Sequence, residues 1–121
     1  DVALLMKQHD QGYPTFVMGD FNMQEGSAEY KDLLTRLGVK DSFRQVNPTD
    51  PGYTSDPTKN PNVDKDNPQA RLDYIVYKPG TKVDVVPLFS DMTHTQPVEG
   101  MFVSDHFGVH TRFQFQDHKF N

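Results

Sequence analysis

A chain of 121 residues with 35% hydrophobic residues is long enough for one domain with a modest core. The net charge of -5 argues against a broad basic surface for the backbone of nucleic acids, although an enzyme can also handle phosphate through a cation. The absence of cysteine excludes disulfides and thiolate metal sites, and no apolar stretch approaches the roughly 20 residues of a membrane span.

The first third of the chain alternates helical and extended patterns, as is typical of an α/β domain. Apolar residues over 2–6 predict the end of an amphipathic helix, and residues 15–18 predict a strand. The next helix is predicted to begin at the N-cap Ser27 and to end at Gly38. Because the chain opens at Asp1 inside a helical pattern, we expect it to be a fragment of a longer protein.

The segment between Asn47 and Pro68 is rich in proline and short polar residues, so it cannot build a core of its own. Loops of this length are usually functional or disordered, and the sequence leaves both alternatives open. Residues 53–54 favour a short strand, and Asn60 is a candidate to reach back into a site.

The last third of the chain is dominated by extended patterns. Residues 71–77 predict a buried strand, and residues 83–86 predict a second strand, antiparallel to the first across a turn at Pro79-Gly80. We expect an irregular loop over 90–104, an alternating strand over 107–115 and a frayed tail over 116–121.

Residues 16–22 change abruptly from apolar to polar. Because side chains alternate faces along an extended segment, Asp20 and Asn22 are expected to point the same way, with Phe21 turned into the core. An acid and an amide presented together can hold a phosphate group or a metal. The alternative is an ordinary Asp/Asn-rich turn after a strand.

Asp73 interrupts an otherwise apolar strand, where a carboxylate is costly unless it is paired. One interpretation is a structural ion pair with Arg71 or Lys78. The functional interpretation is that Asp73 orients an imidazole.

Ser104-Asp105-His106 stands just before the last predicted strand. Histidine is the natural group to exchange a proton near neutral pH, and a neighbouring carboxylate can fix its tautomer. Taken alone, the Asp-His pair also fits a simple loop turn. The remaining histidines are expected to be surface or loop residues: His9, His94, His110 and His118.

Taken together, the ordered segments Gly-Asp-Phe-Asn, Leu-Asp-Tyr and Ser-Asp-His resemble the endonuclease/exonuclease/phosphatase superfamily. Its members include DNase I-like nucleases, abasic-site endonucleases, inositol polyphosphate 5-phosphatases and neutral sphingomyelinases. The resemblance implies an α/β fold, namely the C-terminal half of a four-layer α/β sandwich with a mostly antiparallel central sheet. It also implies Mg²⁺-dependent cleavage of phosphate esters.

The resemblance implies a role for each acid and amide. His106 corresponds to the imidazole that acts as general acid/base or stabilises the phosphoryl transition state, and Asp73 resembles the acid that orients it. Asp20 looks like the acid that activates or positions the attacking water, and Asn22 like the amide that holds a phosphate oxygen. Asp105 is similar to a position that assists metal or histidine placement.

The family's principal Mg²⁺ ligands, an Asn and a Glu, lie in the N-terminal half of its domain, together with a further catalytic His or Tyr. None of that half precedes Asp1. Residues 1–121 are therefore expected to be the C-terminal portion of a single domain, with the missing N-terminal half as their partner. Half a sandwich would also expose a large apolar face.

A second motif bears on the substrate. It is the Thr-x-Asp-x-x-x-Asn run formed by Thr54, Asp56 and Asn60, which precedes Leu-Asp-Tyr-Ile and resembles the corresponding region of secreted bacterial neutral sphingomyelinases. That likeness implies a phospholipase C-type phosphodiesterase acting on a membrane lipid head group, with Asn60 in substrate binding. The compartment stays open, and a secreted location is one alternative. One alternative is a nuclease or a sugar- or inositol-phosphate phosphatase, although the acidic charge does not favour nucleic acid. Another is a non-catalytic, truncated interaction module.

Overall fold

The computed structural model describes residues 1–118, which form helices and strands in an α/β arrangement with antiparallel sheets, as predicted. The elements are α1 (Val2–Gln8), β1 (Thr15–Asp20), α2 (Ala28–Leu37), β2 (Lys40–Asp41), α3 (Ser42–Val46), β3 (Asp73–Lys78), β4 (Val83–Thr93) and β5 (Gly108–Asp117). One sheet has the strand order β1-β3-β2, and the other consists of β4 and β5. In this part of the chain no helix is long and apolar enough to cross a membrane.

Helix α2 has the predicted boundaries because both of its ends are capped. The Ser27 hydroxyl accepts the Tyr30 N–H at 3.2 Å, and Gly38 ends the helix in a left-handed conformation (φ 64°) that glycine adopts at little cost. Both predicted caps are thereby confirmed. The apolar side of α2 packs on the first sheet, where Tyr30 joins Tyr74 and Val76 of β3 in the buried core.

The opposite face of the first sheet looks toward the second sheet. Phe16 of β1 and Tyr77 of β3 contact Phe113 of β5, with ring centroids 4.9 and 5.4 Å apart. Farther along this face Met18 of β1 lies opposite Ile75 of β3, and Met18 is 63% exposed. The face is therefore covered at one end and open at the other.

The predicted pairing of the strand after Pro79-Gly80 with β3 is wrong. Strand β4 pairs with β5 along its length, from Val83 opposite Asp117 to Thr93 opposite Gly108. The turn is anchored elsewhere, because the Lys82 N–H donates to the carbonyl of Gly12 at 2.8 Å, and the chain then crosses to the second sheet. A pattern of strand residues does not reveal its partner when the connecting turn is held by a distant loop.

The boundaries of β4 and β5 also differ from prediction. Strand β4 continues to Thr93, so the irregular segment begins there rather than at residue 90. Strand β5 continues to Asp117, so residues 116–117 are not frayed; residues 119–121 of the predicted tail lie outside the described residues.

The proline-rich segment after α3 is a packed loop. Thr54, Asp56 and Asn60 are almost completely buried in it, with 0%, 1% and 1% exposure. The short strand predicted at 53–54 is reduced to an isolated bridge between Ser55 and Ala70. Polar side chains that satisfy backbone groups hold this loop in place of an apolar core.

Candidate active site

The site begins where β1 and β3 end side by side. In the antiparallel register the last residue of β1, Asp20, lies directly opposite the first residue of β3, Asp73. Like charges directly opposite each other on a sheet are destabilising. Two acids at this position are therefore a cost to the fold unless a donor or a cation compensates it.

His106 donates to one of the two acids, Asp73. Its Nδ1 lies 2.7 Å from Asp73 Oδ2, and both side chains are partly accessible, at 23% and 21% exposure. Because a carboxylate can only accept, Nδ1 carries the proton, and Nε2 remains for exchange with a ligand. Ligand atoms of Asp20, Asp73 and His106 all lie within 4.8 Å of one another.

The turn that carries His106 is fixed by a separate loop. The Phe107 N–H donates to the carbonyl of Thr54 at 2.7 Å, and the Asn60 amide donates to the carbonyl of Ser104 at 2.9 Å. The Ser104 hydroxyl accepts the His106 N–H at 3.1 Å. The histidine is thus held through backbone contacts on both of its sides.

Asn22 does not follow the predicted alternation. Its backbone is left-handed (φ 50°), and its N–H donates to Asp20 Oδ1 at 2.8 Å, so the chain turns after β1 rather than staying extended. Phe21 is turned inward as predicted, stacked on Tyr74 with centroids 5.7 Å apart. Exposed Asn22 borders a shallow cleft that Glu25 also lines.

Two further predicted site residues lie outside the Asp20–Asp73–His106 cluster. Asp105 is exposed, and its Oδ1 accepts the Ser104 hydroxyl at 3.3 Å; its role with a metal or histidine stays a prediction. Asn60 does not face an open site, because its amide donates to Ser104 and its carbonyl oxygen accepts the Asn62 N–H at 3.0 Å. Its position supports the His106 turn rather than a substrate.

The alternative ion pair of Asp73 with Arg71 is not present. Arg71 is buried and bonds the carboxylates of Asp41 and Glu25, and Arg44 bonds Glu25 as well. Sequence reasoning missed this network of Glu25, Asp41, Arg44 and Arg71. The signal available in the sequence was Arg71 itself, a charge next to a strongly apolar strand.

The network shifts the pKa values of Glu25, Arg44 and Arg71 in the directions that strengthen the ion pairs. Burial alone would raise the pKa of Glu25, but the hydrogen bond to Arg44 and the charges of Arg71 and Arg44 hold it below its ordinary value. Burial would lower the pKa of Arg71, but the bond and charge of Asp41, together with Glu25, raise it above its ordinary value. Both shifts favour the charged forms of Glu25 and Arg71.

The donor atoms of the cluster suit a hard divalent cation in part. Carboxylate oxygens are the protein ligands that Mg²⁺ prefers, usually one or two of them with water and substrate phosphate completing the octahedron. Asp20 and Asp73 supply such oxygens, whereas His106 already uses Nδ1 for Asp73. The cluster therefore fits part of a Mg²⁺ site, in which Asp20 and Asp73 supply two ligands and other groups supply the rest.

A second Asp–His pair serves as an internal reference. His110 Nδ1 lies 3.1 Å from Asp91 Oδ1 across β4 and β5, with 53% and 47% exposure. Among the described residues, no third His or carboxylate lies close enough to this pair to complete a metal-type group. The remaining histidines are all exposed, as predicted: His9, His94, His110 and His118.

The sequence matches the model of one protein family. The model of the Endonuclease/Exonuclease/phosphatase family matches residues 1–106. No curated protein matches the chain.

Solved structures share the fold. A crystal structure of D. rerio TDP2 complexed with a single-strand DNA product aligns with a TM-score of 0.74 at 21% identity, over 93% of this chain and 46% of that one. A D. rerio TDP2 humanized by 14 mutations gives 0.70 at 21% identity, over 93% and 45%. A truncated Caenorhabditis elegans TDP2 gives 0.61 at 23% identity, over 89% and 41%. The chain thus spans less than half the length of these structures.

Proposed function

This chain belongs to the endonuclease/exonuclease/phosphatase family, and on that premise we propose that it is the C-terminal, catalytic portion of a metal-dependent phosphodiesterase. One observation carries the proposal. Asp20, Asp73 and His106 come from three separate segments, yet their ligand atoms lie within 4.8 Å of one another at an accessible sheet end.

The residues of the cluster divide the work of phosphate-ester hydrolysis. Asp73 holds the imidazole so that Nε2 of His106 can donate to a phosphoryl oxygen or exchange a proton with it. The exposed carboxylate of Asp20 can accept the proton of the water that attacks phosphorus, and the ester oxygen can leave with a proton from Nε2 of protonated His106. Asn22, held next to Asp20, is available to donate its amide to another phosphate oxygen.

The cofactor of the proposed reaction is Mg²⁺. Two carboxylates would repel a phosphodiester, and the net charge of -5 provides no compensating basic surface. Asp20 and Asp73 would hold the ion, together with ligands from outside this chain. When bound, Mg²⁺ supplies positive charge that stabilises the phosphoryl group as its charge redistributes.

The proposed partner of this chain is the N-terminal half of its own domain. The support is the open part of the apolar face, where exposed Met18 lies beside a cleft of about 230 Å³ that Ile75 and Val109 also line. The acid cluster stands at the end of this face, since Asp73 lines the same cleft. A segment that covers the face would reach the cluster and could contribute the remaining metal ligands.

The class of phosphodiester is the finer part of the proposal. A sphingomyelin-like lipid head group is our first candidate, on the resemblance of the Thr54–Asp56–Asn60 run. These residues are buried, so they would act through the turn that carries His106 and not by contact with the substrate. A nucleic-acid end is the second candidate, since a solved structure with the same fold is described with a single-strand DNA product.

The test uses the full-length protein that contains this chain. Hydrolysis of sphingomyelin vesicles, single-strand DNA and an inositol phosphate is measured with Mg²⁺ and with EDTA, for the parent, His106→Ala and His110→Ala. We expect Mg²⁺-dependent turnover that His106→Ala reduces by about 10²- to 10⁴-fold, the range for loss of a general acid or base. His110→Ala removes the matched reference pair and should leave activity unchanged.

The outcomes separate the alternatives. Equal activity of the parent and His106→Ala would rule out the proposed mechanism. Activity on DNA alone would rule out the lipid candidate, and activity on vesicles alone the nucleic-acid candidate. A full-length protein without turnover on any of the three substrates would favour the non-catalytic interaction module.

A further inference from the structure

Thr54 is a completely buried residue that joins the two halves of the Asp73–His106 pair. Its hydroxyl accepts the N–H groups of Leu72 and Asp73, at 3.0 and 3.3 Å. Its carbonyl accepts the N–H of Phe107, the residue after His106, at 2.7 Å. One residue with 0% exposure therefore fixes the backbone on both sides of the hydrogen bond between the acid and the imidazole.

Asn60 provides a second fixed point from the same loop. Its amide donates to the carbonyl of Ser104, two residues before His106, at 2.9 Å. Asp56 holds the intervening turn, because its backbone carbonyl accepts the Asn60 N–H at 2.9 Å and its carboxylate accepts both the N–H and the hydroxyl of Thr58. These hydrogen bonds also hold the pKa of Asp56 below its ordinary value, against the effect of burial.

The loop consequently acts as a rigid connection between two elements that do not pair with each other. Asp73 begins β3 in the first sheet, whereas His106 precedes β5 in the second sheet. Without the bonds to Thr54 and Asn60, the separation of the two side chains would depend on packing between the sheets. This separation matters, because the hydrogen bond is 2.7 Å long and an error of about 1 Å in a catalytic geometry can cost a factor of about 10² in rate.

We propose that Thr54, supported by Asn60, is a positioning residue that sets the Asp73–His106 geometry for catalysis. The proposal rests on the proposed function of the same site. Thr54 contacts neither substrate nor metal in this role, since it is buried beneath both residues it positions. Its loss should lower turnover while leaving substrate affinity nearly unchanged.

The experiment compares Thr54→Val with Thr54→Ser in the full-length protein that contains this chain. Valine keeps the shape but leaves the N–H groups of Leu72 and Asp73 without their acceptor, whereas serine keeps the hydroxyl. Ser42→Ala is the matched control, because Ser42 is also completely buried and its hydroxyl pairs with Thr111 at 2.9 Å. It removes a buried hydroxyl without touching the bonds to Leu72 and Asp73.

Two quantities are measured on folded protein: steady-state kinetics, and the NMR resonance of the His106 Nδ1 proton in histidine-labelled protein. For Thr54→Val we expect kcat to fall about 10- to 100-fold, as is typical for residues that orient catalytic groups, with KM within about twofold. The Nδ1 resonance should broaden or disappear through faster exchange with water. Thr54→Ser should restore both readouts, and Ser42→Ala should change neither.

Several results would overturn the inference: an unchanged kcat and resonance in Thr54→Val, or an equal loss of kcat in Ser42→Ala. If Thr54→Val does not fold, Asn60→Ala decides by the same two readouts. The proposed function fails independently, if His106→Ala retains full activity. In that case a lost Nδ1 resonance in Thr54→Val would still support positioning by Thr54.

Discussion

Two groups of charged residues lie on either side of the start of β3, and they differ in almost every physical respect. The first, around Arg71, joins two arginines with two acids, so its charges cancel, and Asp41 and Arg71 are only 3% exposed. Among the described residues only Arg71 Nε lacks a hydrogen-bond partner there. The second group contains two acids, Asp20 and Asp73, and the imidazole of His106. Its Asp20 side chain is exposed to solvent.

The difference between the two groups is that the charges of the first stabilise the fold, whereas those of the second remain accessible for chemistry. In the buried network every charge has its counter-charge inside the protein. In the open cluster the fold holds two acids opposite each other although a neutral pair would be more stable. An arrangement that costs stability and leaves polar atoms accessible is what a catalytic site requires.

The largest expected effect is on the buried network. Arg71→Ala would leave Asp41 buried without its partner, which should lower the free energy of unfolding by about 3–5 kcal/mol. Denaturant unfolding of the full-length protein measures the loss. The control is Arg36→Ala, because Arg36 pairs with Asp32 on the surface at 2.9 Å with 63% exposure, and such pairs contribute only about 0.5 kcal/mol. Similar losses in the two variants would mean that the network is not a unit of stability.

The open cluster should respond in the opposite way. Asp73→Asn removes the carboxylate that orients His106, so kcat should fall about 10- to 100-fold, while the unfolding free energy should not decrease markedly. The matched control is Asp91→Asn at the reference pair with His110, which should leave kcat unchanged. A large loss of stability in Asp73→Asn would place Asp73 in the structural class with Asp41.

Acid should weaken the buried network. The pKa of Glu25 is lowered in the folded state, so Glu25 contributes stability that is fully present above its ordinary value of 4.5 and is lost as the pH falls through the lowered folded value. Unfolding measured from pH 7 to pH 3 should therefore show a decline below 4.5 that is smaller in Glu25→Gln. A decline of the same size in that variant would assign it to other acids, such as Asp56.

The smallest expected effect tests the repulsion within the open cluster. Asp20→Asn keeps an oxygen for the Asn22 N–H and removes one of the two opposed charges. The free energy of unfolding should rise by a few tenths of a kcal/mol, about the size of cross-strand charge effects, while activity falls. A stability decrease would show that the two acids are already compensated within this chain.

Much of the local structure was predictable because it depends on neighbouring residues. Ser27 and Gly38 bound α2 through contacts within the helix itself, and Phe21 is inward because it follows directly from a strand. The turn at Asn22 was one of two alternatives that the sequence left open, since Asn fits both a left-handed residue after a strand and a further extended one. The partner of β4 was missed because the turn before it is anchored on Gly12, almost 70 residues away along the chain, a contact of the kind that no local pattern contains.

The sequence by itself determined the α/β class, the ordered set of Asp20, Asp73 and His106, and the chemistry that such groups can perform. Only the tertiary structure decided which charges meet. In the folded chain Arg71 pairs with Asp41 and Glu25, and His106 bonds Asp73. Asn60 is buried and bonds the turn that carries His106. The physical reason is that residue type fixes what a side chain can bond, whereas packing between sheets and loops fixes which partner lies within the roughly 3 Å that a bond requires.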